Sequence, residues 1–272
     1  MSTVSPLVST IVVNYRTPGD LARFCESYDG GAESELVLVN VAPRSEDREV
    51  AERYARRLGG RHLVLDDNVG YARAVNRAAS TASGQVLAIF NADVELRPGA
   101  LRACAEKLLS NPRWGVLGPL QVDRRGRCTH PGIFGTHRKP KWRPEAWRKP
   151  VQPAWREVRD DAVTVMGSAY FVKHTVWREL FACQVFQDFC RERNLVCEGA
   201  FLPTFLCYEE TWVSYHAAAH GYKCVYDGEV EIVHEWHGSV KSNDSKAAFD
   251  RAFAESRDVF RAICAAHGLE SD

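Results

Sequence analysis

An aspartate at the end of an apolar run is the residue in this chain best placed to do chemistry. Val86-Leu87-Ala88-Ile89-Phe90 reads as a central strand covered on both faces, and it stops at Asn91-Ala92-Asp93. Open α/β sheets bind ligands at the carboxyl ends of such strands. There Asp93 can offer hard oxygen to a divalent cation, and the cation can hold a diphosphate. Upstream, Asn68-Val69-Gly70-Tyr71-Ala72-Arg73-Ala74-Val75-Asn76 opens a helix with small residues. These let a ligand come close to the backbone at a helix N-terminus that favours negative charge. The same alanines suit tight packing on a sheet, leaving Asn68 and Asn76 to face the ligand.

Alternating elements must position these groups. Ser9–Asn14 reads as a β-branched strand, followed by Thr17 as N-cap and Pro18 at the first helical position. Leu21, Phe24, Cys25 and Tyr28 give that helix an apolar face, and Gly30-Gly31 end it. Leu36–Val41 is a second strand. Ser45 caps a charged helix to Arg57, closed by Gly59-Gly60. His62–Leu65 is a short third strand. A helix over Tyr71–Ala82, the Val86 strand and a helix near Pro98–Leu109 complete the series. Four alternations predict an α/β fold with a mostly parallel sheet and helices on both faces.

Beyond the strand Trp114–Leu120 the pattern changes. Gly132–Pro153 lacks a period and reads as a long loop or arm. Val163–Val172 returns to strand around Gly167-Ser168. Thr175–Cys190 and Glu209–His220 read as helices, Cys224–Val233 as a last strand, and Asp244–His267 as a closing amphipathic helix expected to pack or to form a homodimer.

Composition fits a soluble globular protein: 272 residues, 45% apolar and 26% charged. No apolar run approaches a membrane span, and no signal peptide is expected. Nine cysteines at irregular spacing point to buried thiols in a reducing cytoplasm. The formal charge is zero but uneven. Residues 121–160 hold eleven Lys/Arg against four acids, a local +7 balanced by −7 elsewhere.

Five stretches, in this order, resemble family 2 glycosyltransferases of the GT-A fold, closest to the rhamnosyltransferase-like group: Ile11–Tyr15, Asn68–Asn76, Phe90–Asp93, Tyr208-Glu209-Glu210, and His234 with Gly238-Ser239. The resemblance implies a single domain. Residues 1–120 would be its nucleotide-sugar half, 121–240 its acceptor and catalytic half, and 241–272 a C-terminal helix. It implies Mn²⁺ or Mg²⁺ on Asp93 and His234, bridging the diphosphate of a UDP- or dTDP-sugar. Donor contacts fall on Asn14, Tyr15, Asn40, Asn68, Gly70, Tyr71, Ala72, Asn76, Asn91, Ala92, Asp93 and Trp236. Glu210 takes the place of the base of an inverting transfer, with Glu209 as runner-up. Gly167, Ser168, Trp212, Trp142, Trp147 and Arg143 are expected to meet the acceptor. Two positions depart from the family: Asn40 and Asn91 stand where acids are common. They keep open a nucleotide-sugar-binding protein without turnover.

The segment 124–159 interleaves Arg and Lys with Trp142, Trp147 and Trp155. It suits a glycan or lipid-linked acceptor at the inner membrane face, or hydroxymethylated DNA. Cys183, Cys190 and Cys197 recur every seven residues, and His216 and His220 are four apart. Without a CxxC pair, the expectation for these thiols is burial rather than zinc.

Overall fold

The computed structural model describes residues 6–141, 144–235 and 243–269. Its first half runs β1 (Val8–Asn14), α1 (Pro18–Ser27), β2 (Ser34–Val41), α2 (Ser45–Leu58), β3 (Arg61–Leu65), α3 (Tyr71–Ala79), β4 (Val86–Asn91), β5 (Val94–Leu96) and α4 (Ala100–Ser110). The second half adds β6 (Trp114–Val122), β7 (Cys128–His130), β8 (Phe134–Thr136), β9 (Lys139–Lys141), β10 (Val158–Ala162), β11 (Ala169–Lys173), α5 (His174–Phe181), α6 (Gln184–Glu192), α7 (Glu209–Ala219), β12 (Lys223–His234) and α8 (Asn243–Ala266).

The main sheet runs β10-β12-β6-β11-β4-β1-β2-β3. Strands β3, β2, β1 and β4 are parallel, as alternation predicts, whereas β11 lies antiparallel between β4 and β6. The chain leaves β1 toward β2 and returns to its other side at β4. The carboxyl ends of β1 and β4 therefore flank a topological switch point, where an open sheet leaves a crevice. Side chains alternate between two buried layers, as period two requires. Ile11, Leu87 and Ile89 join the layer under α3 and α5–α8, while Val12, Ala88 and Phe90 join the one under α1, α2 and α4. The asparagines and Asp93 fall where these strands leave the core.

Several expectations change. Thr17 holds the N-cap position, but its hydroxyl donates to Asn14 Oδ1 (2.8 Å) rather than capping, and α1 ends at Ser27 before the glycines. Ser45 is the first helical residue. The preceding Arg44 N–H is accepted by buried Asp47 Oδ2 at 3.0 Å. Gly167-Ser168 forms a turn before β11 rather than the middle of a strand, and the expected Thr175–Cys190 helix breaks at Cys183 into α5 and α6. The basic arm is not structureless. Strands β8 and β9 form a hairpin, and Cys128 exchanges backbone hydrogen bonds with Arg148 and Lys149. Trp155 is buried in the core, so it is unavailable for stacking on a ligand. Much of the arm's charge is neutralised by acids: Arg124 by Glu95, Arg127 by Asp123, Arg156 by Glu231 and Arg159 by Asp161.

Candidate active site

Past β4 the chain turns through Ala92-Asp93 into β5, which pairs antiparallel with the end of β12, Val94 opposite His234. This register brings Asp93 Oδ1 to 3.4 Å from His234 Nε2. On its other side, His234 Nδ1 lies 3.0 Å from Gln121 Oε1, which also accepts the Ser168 hydroxyl at 2.8 Å. An amide oxygen only accepts, so Nδ1 carries the proton and Nε2 the lone pair. A hydrogen bond at the ring's other nitrogen is how metal sites fix an imidazole. A hard carboxylate beside one oriented imidazole fits a Mn²⁺- or Mg²⁺-type cation. Gln121 belongs to none of the sequence motifs. Its signal was a lone amide inside the apolar run Val116–Val122. Buried His130, its cross-strand neighbour, belongs to none either. Burial, then His234, lowers the His130 imidazole to about 3, so it stays neutral.

The second acid comes from α7. Cys207 and Tyr208, just before the helix, both take left-handed backbone, φ 69° and 68°. Such consecutive strain in non-glycine residues is often found at functional sites. The Glu210 side chain lies against Gly167: a Cβ there would stand 3.0 Å from Glu210 Cδ. Burial raises Glu210 to about 7, against the opposing effect of backbone hydrogen bonds that include Gly167. Glu209 is buried, and its Oε2 finds no hydrogen-bond partner. Burial and then the charge of Glu210 push it well above the carboxylate range.

The Gly167-Ser168 turn joins the two acids. Ser168 O accepts the Asn91 N–H (3.1 Å), its hydroxyl reaches Gln121, and Gly167 O accepts the Tyr71 hydroxyl at 3.3 Å. Burial raises the Tyr71 phenol, and the charges of Glu209, Glu210 and Asp93 add to it in that order. All three carboxyls thus act on one hydroxyl, which puts them in one neighbourhood.

Other motif residues serve the scaffold. Asn40 is fully buried. Its Oδ1 accepts from Asn14 (2.9 Å), and its Nδ2 donates to Asp47 O (2.8 Å) and lies 3.1 Å from His62 Nε2. Fully buried and turned onto these partners, the amide presents no edge to a nucleotide. Asn14 is likewise spent on Asn40, Asp47 and Thr17. Asn76 does not face a ligand: its amide clamps the Phe201 backbone through Nδ2 (2.9 Å) and Oδ1 (3.1 Å). Gly70, at φ 82°, makes room for protein rather than ligand, since a Cβ would meet Phe205 O at 2.5 Å. Ala72 is buried beneath it. Trp212 is no pocket wall: it is fully buried against Phe186, His216 and His267. Asn68 is exposed, as is Tyr15, with Arg16 over its ring at 5.2 Å. Half-buried Trp147 carries Arg148 at 5.5 Å. Trp142, Arg143, Trp236, Gly238 and Ser239 lie outside the described residues.

Comparison with known proteins gives a family and a fold. The family model described as glycosyl transferase family 2 matches residues 9–165. No curated protein sequence matches. Among solved structures, the chain resembles the mannosyltransferase PcManGT from Pyrobaculum calidifontis, a complex with GDP-Man and Mn²⁺, with a TM-score of 0.59 and 17% identity. That alignment covers 97% of this chain and 69% of the other. S. aureus TarS 1–349 gives a TM-score of 0.61 at 13% identity, covering 95% of this chain and 64% of that one.

Proposed function

Because the chain belongs to glycosyl transferase family 2 and is thus a glycosyltransferase, we propose that it moves a sugar from a nucleotide-diphosphate donor to an acceptor hydroxyl with inversion, aided by a divalent cation. One observation carries the reading: a single turn, Gly167-Ser168, touches both the Asp93–His234–Gln121 corner and the Glu210 carboxylate. Asp93 and His234 Nε2 would hold Mn²⁺ or Mg²⁺. When bound, the cation neutralises charge developing on the leaving diphosphate. The GDP-Man and Mn²⁺ of the mannosyltransferase neighbour support the same assignment. Asn91, standing where an acid is common, gives the cation one anionic ligand fewer. Tyr15 offers an exposed ring at the end of β1 for the nucleotide base.

Glu210 takes the acceptor proton. Its carboxyl sits near neutrality, where a base keeps a substantial ionised fraction and still has the basicity to accept a proton. Glu209 is held protonated by burial and by the charge of Glu210, so it does not serve as the base. Tyr71, hydrogen-bonded to Gly167, lines the space between the cation corner and the base. The acceptor is a carbohydrate hydroxyl on a glycan or lipid-linked saccharide, with Trp147 and the exposed Lys139 and Lys141 of the hairpin at its rim. DNA ranks second, because Arg124, Arg127, Arg156 and Arg159 are already paired with acids.

The test is calorimetry of UDP-, dTDP- and GDP-sugars with and without Mn²⁺, on the natural chain and on Asp93→Ala. One donor should bind only with the metal, and the substitution should abolish that binding. Donor affinity indifferent to both would refute the assignment.

A further inference from the structure

At the end of α7 farthest from Glu210, imidazoles gather around a thiol. His216 and His220 stand one helical turn apart, and Cys183 sits at the break between α5 and α6. One ligating atom from each of the three lies within 4.8 Å of the others. His216 is fully buried, yet neither Nδ1 nor Nε2 has a hydrogen-bond partner. Packed aromatic rings account for its apolar faces: Trp212 lies at 4.5 Å and Phe186 at 6.0 Å between centroids. They do not account for two polar nitrogens withdrawn from water, which is costly without a partner. His267 stacks edge-on at 4.7 Å from His216, and its Nε2 is also buried and unpartnered.

A further contact points the same way. His220 Nδ1 lies 2.9 Å from Glu179 Oε1, and Glu179 Oε2 accepts the Tyr222 hydroxyl at 2.7 Å. The carboxylate only accepts, so Nδ1 donates and Nε2 keeps its lone pair. Metal-binding histidines are commonly oriented by a carboxylate in this way.

We propose that Cys183, His216 and His220 bind a structural Zn²⁺ ion, with the fourth position facing His267. Thiolate with imidazole suits zinc, whereas the hard-oxygen corner at Asp93 suits Mn²⁺ or Mg²⁺. Binding releases the Cys183 thiol proton to solvent and leaves thiolate on the metal. The ion ties the α5–α6 junction to the end of α7, bracing the helix that carries Glu210 at its other end. The sequence spacing had argued against zinc. Only the break at Cys183 brings that thiol to the histidines.

The test uses the full chain without a histidine tag. Zinc per chain is measured after exhaustive dialysis, and Co²⁺ is then substituted for spectroscopy. Retained equimolar zinc, a thiolate-to-cobalt charge-transfer band and a melting temperature that falls on chelation support the site. Cys183→Ser should lose the band, and His220→Gln should weaken zinc binding at least about tenfold. Both positions are partly exposed, so folding, checked by circular dichroism, should survive. Asp93→Ala should keep its zinc. The proposal is overturned by a natural chain that retains no zinc, or by a band that persists in Cys183→Ser and so comes from another cysteine.

Discussion

Two stretches of one sheet edge use the same residue types to opposite ends. At the β1–β2 side, Asn14, Asn40, Asp47 and His62 close on one another, and the fully buried Asn40 amide turns both its oxygen and its nitrogen onto these partners. At the β4–β12 side, Asp93, His234, Gln121, Ser168 and Gly167 form a line that ends on Glu210, an acid raised to about 7. A closed ring of hydrogen bonds holds loops in place. A line ending in perturbed carboxyls has reactivity left over. Type and motif position do not separate the two; the burial-raised acid at the end of the line does.

The comparison breaks most visibly at Glu210. Glu210→Gln keeps the shape and removes the base, so kcat should fall by about 10²–10⁴ while donor affinity is unchanged. Steady-state kinetics paired with donor calorimetry checks this. Transfer at the natural rate would move the base elsewhere along the line.

Gln121 comes next. Gln121→Leu removes the acceptor that fixes the His234 tautomer, and Mn²⁺ affinity measured through donor binding should weaken by roughly 10–100-fold. Unchanged affinity would make Gln121 a packing residue, and the line would lose its middle.

The same acid sets a pH signature with two opposite signs. Ionised Glu210 is the active form, so kcat/KM should fall below about pH 7, and an activity profile checks it. Stability runs the other way. A carboxyl raised from 4.5 to about 7 makes the folded state bind the extra proton. Its contribution is complete below 4.5 and is lost as pH rises through about 7. Denaturant titrations across that window should show a decline that Glu210→Gln flattens.

What could be read from the chain divides along the same boundary. The parallel core and the strand ending at Asp93 follow from periodicity, and the acid pair opening α7 stands out by its resemblance to the family motif, so they were legible. The antiparallel insertion of β11 was not, because pairing partners distant in sequence leave no local mark. Gln121 was missed because its partner His234 lies 113 positions away. Asn40 and Asn76 were assigned to the donor because position in a motif does not reveal whether an amide is already satisfied. The arm's +7 overstated its free charge for the same reason: Glu95 and Glu231, which neutralise Arg124 and Arg156, lie far off in sequence.

Asn40 therefore offers the smallest change in activity and the sharpest control. Asn40→Ala deletes a buried, hydrogen-bonded amide and strands Asn14 Nδ2, the Asp47 carbonyl and His62 Nε2 at once. Unmet buried groups of this kind cost about 1–3 kcal/mol each, reduced here where Asn14 can still reach Asp47 Oδ1. The expected outcome is lower stability in chemical denaturation, with donor affinity and kcat per folded molecule unchanged. If the amide instead reads the nucleotide, donor affinity drops while stability holds. The two readings predict opposite columns of the same pair of measurements, so the result assigns Asn40 to one side of the sheet edge or the other.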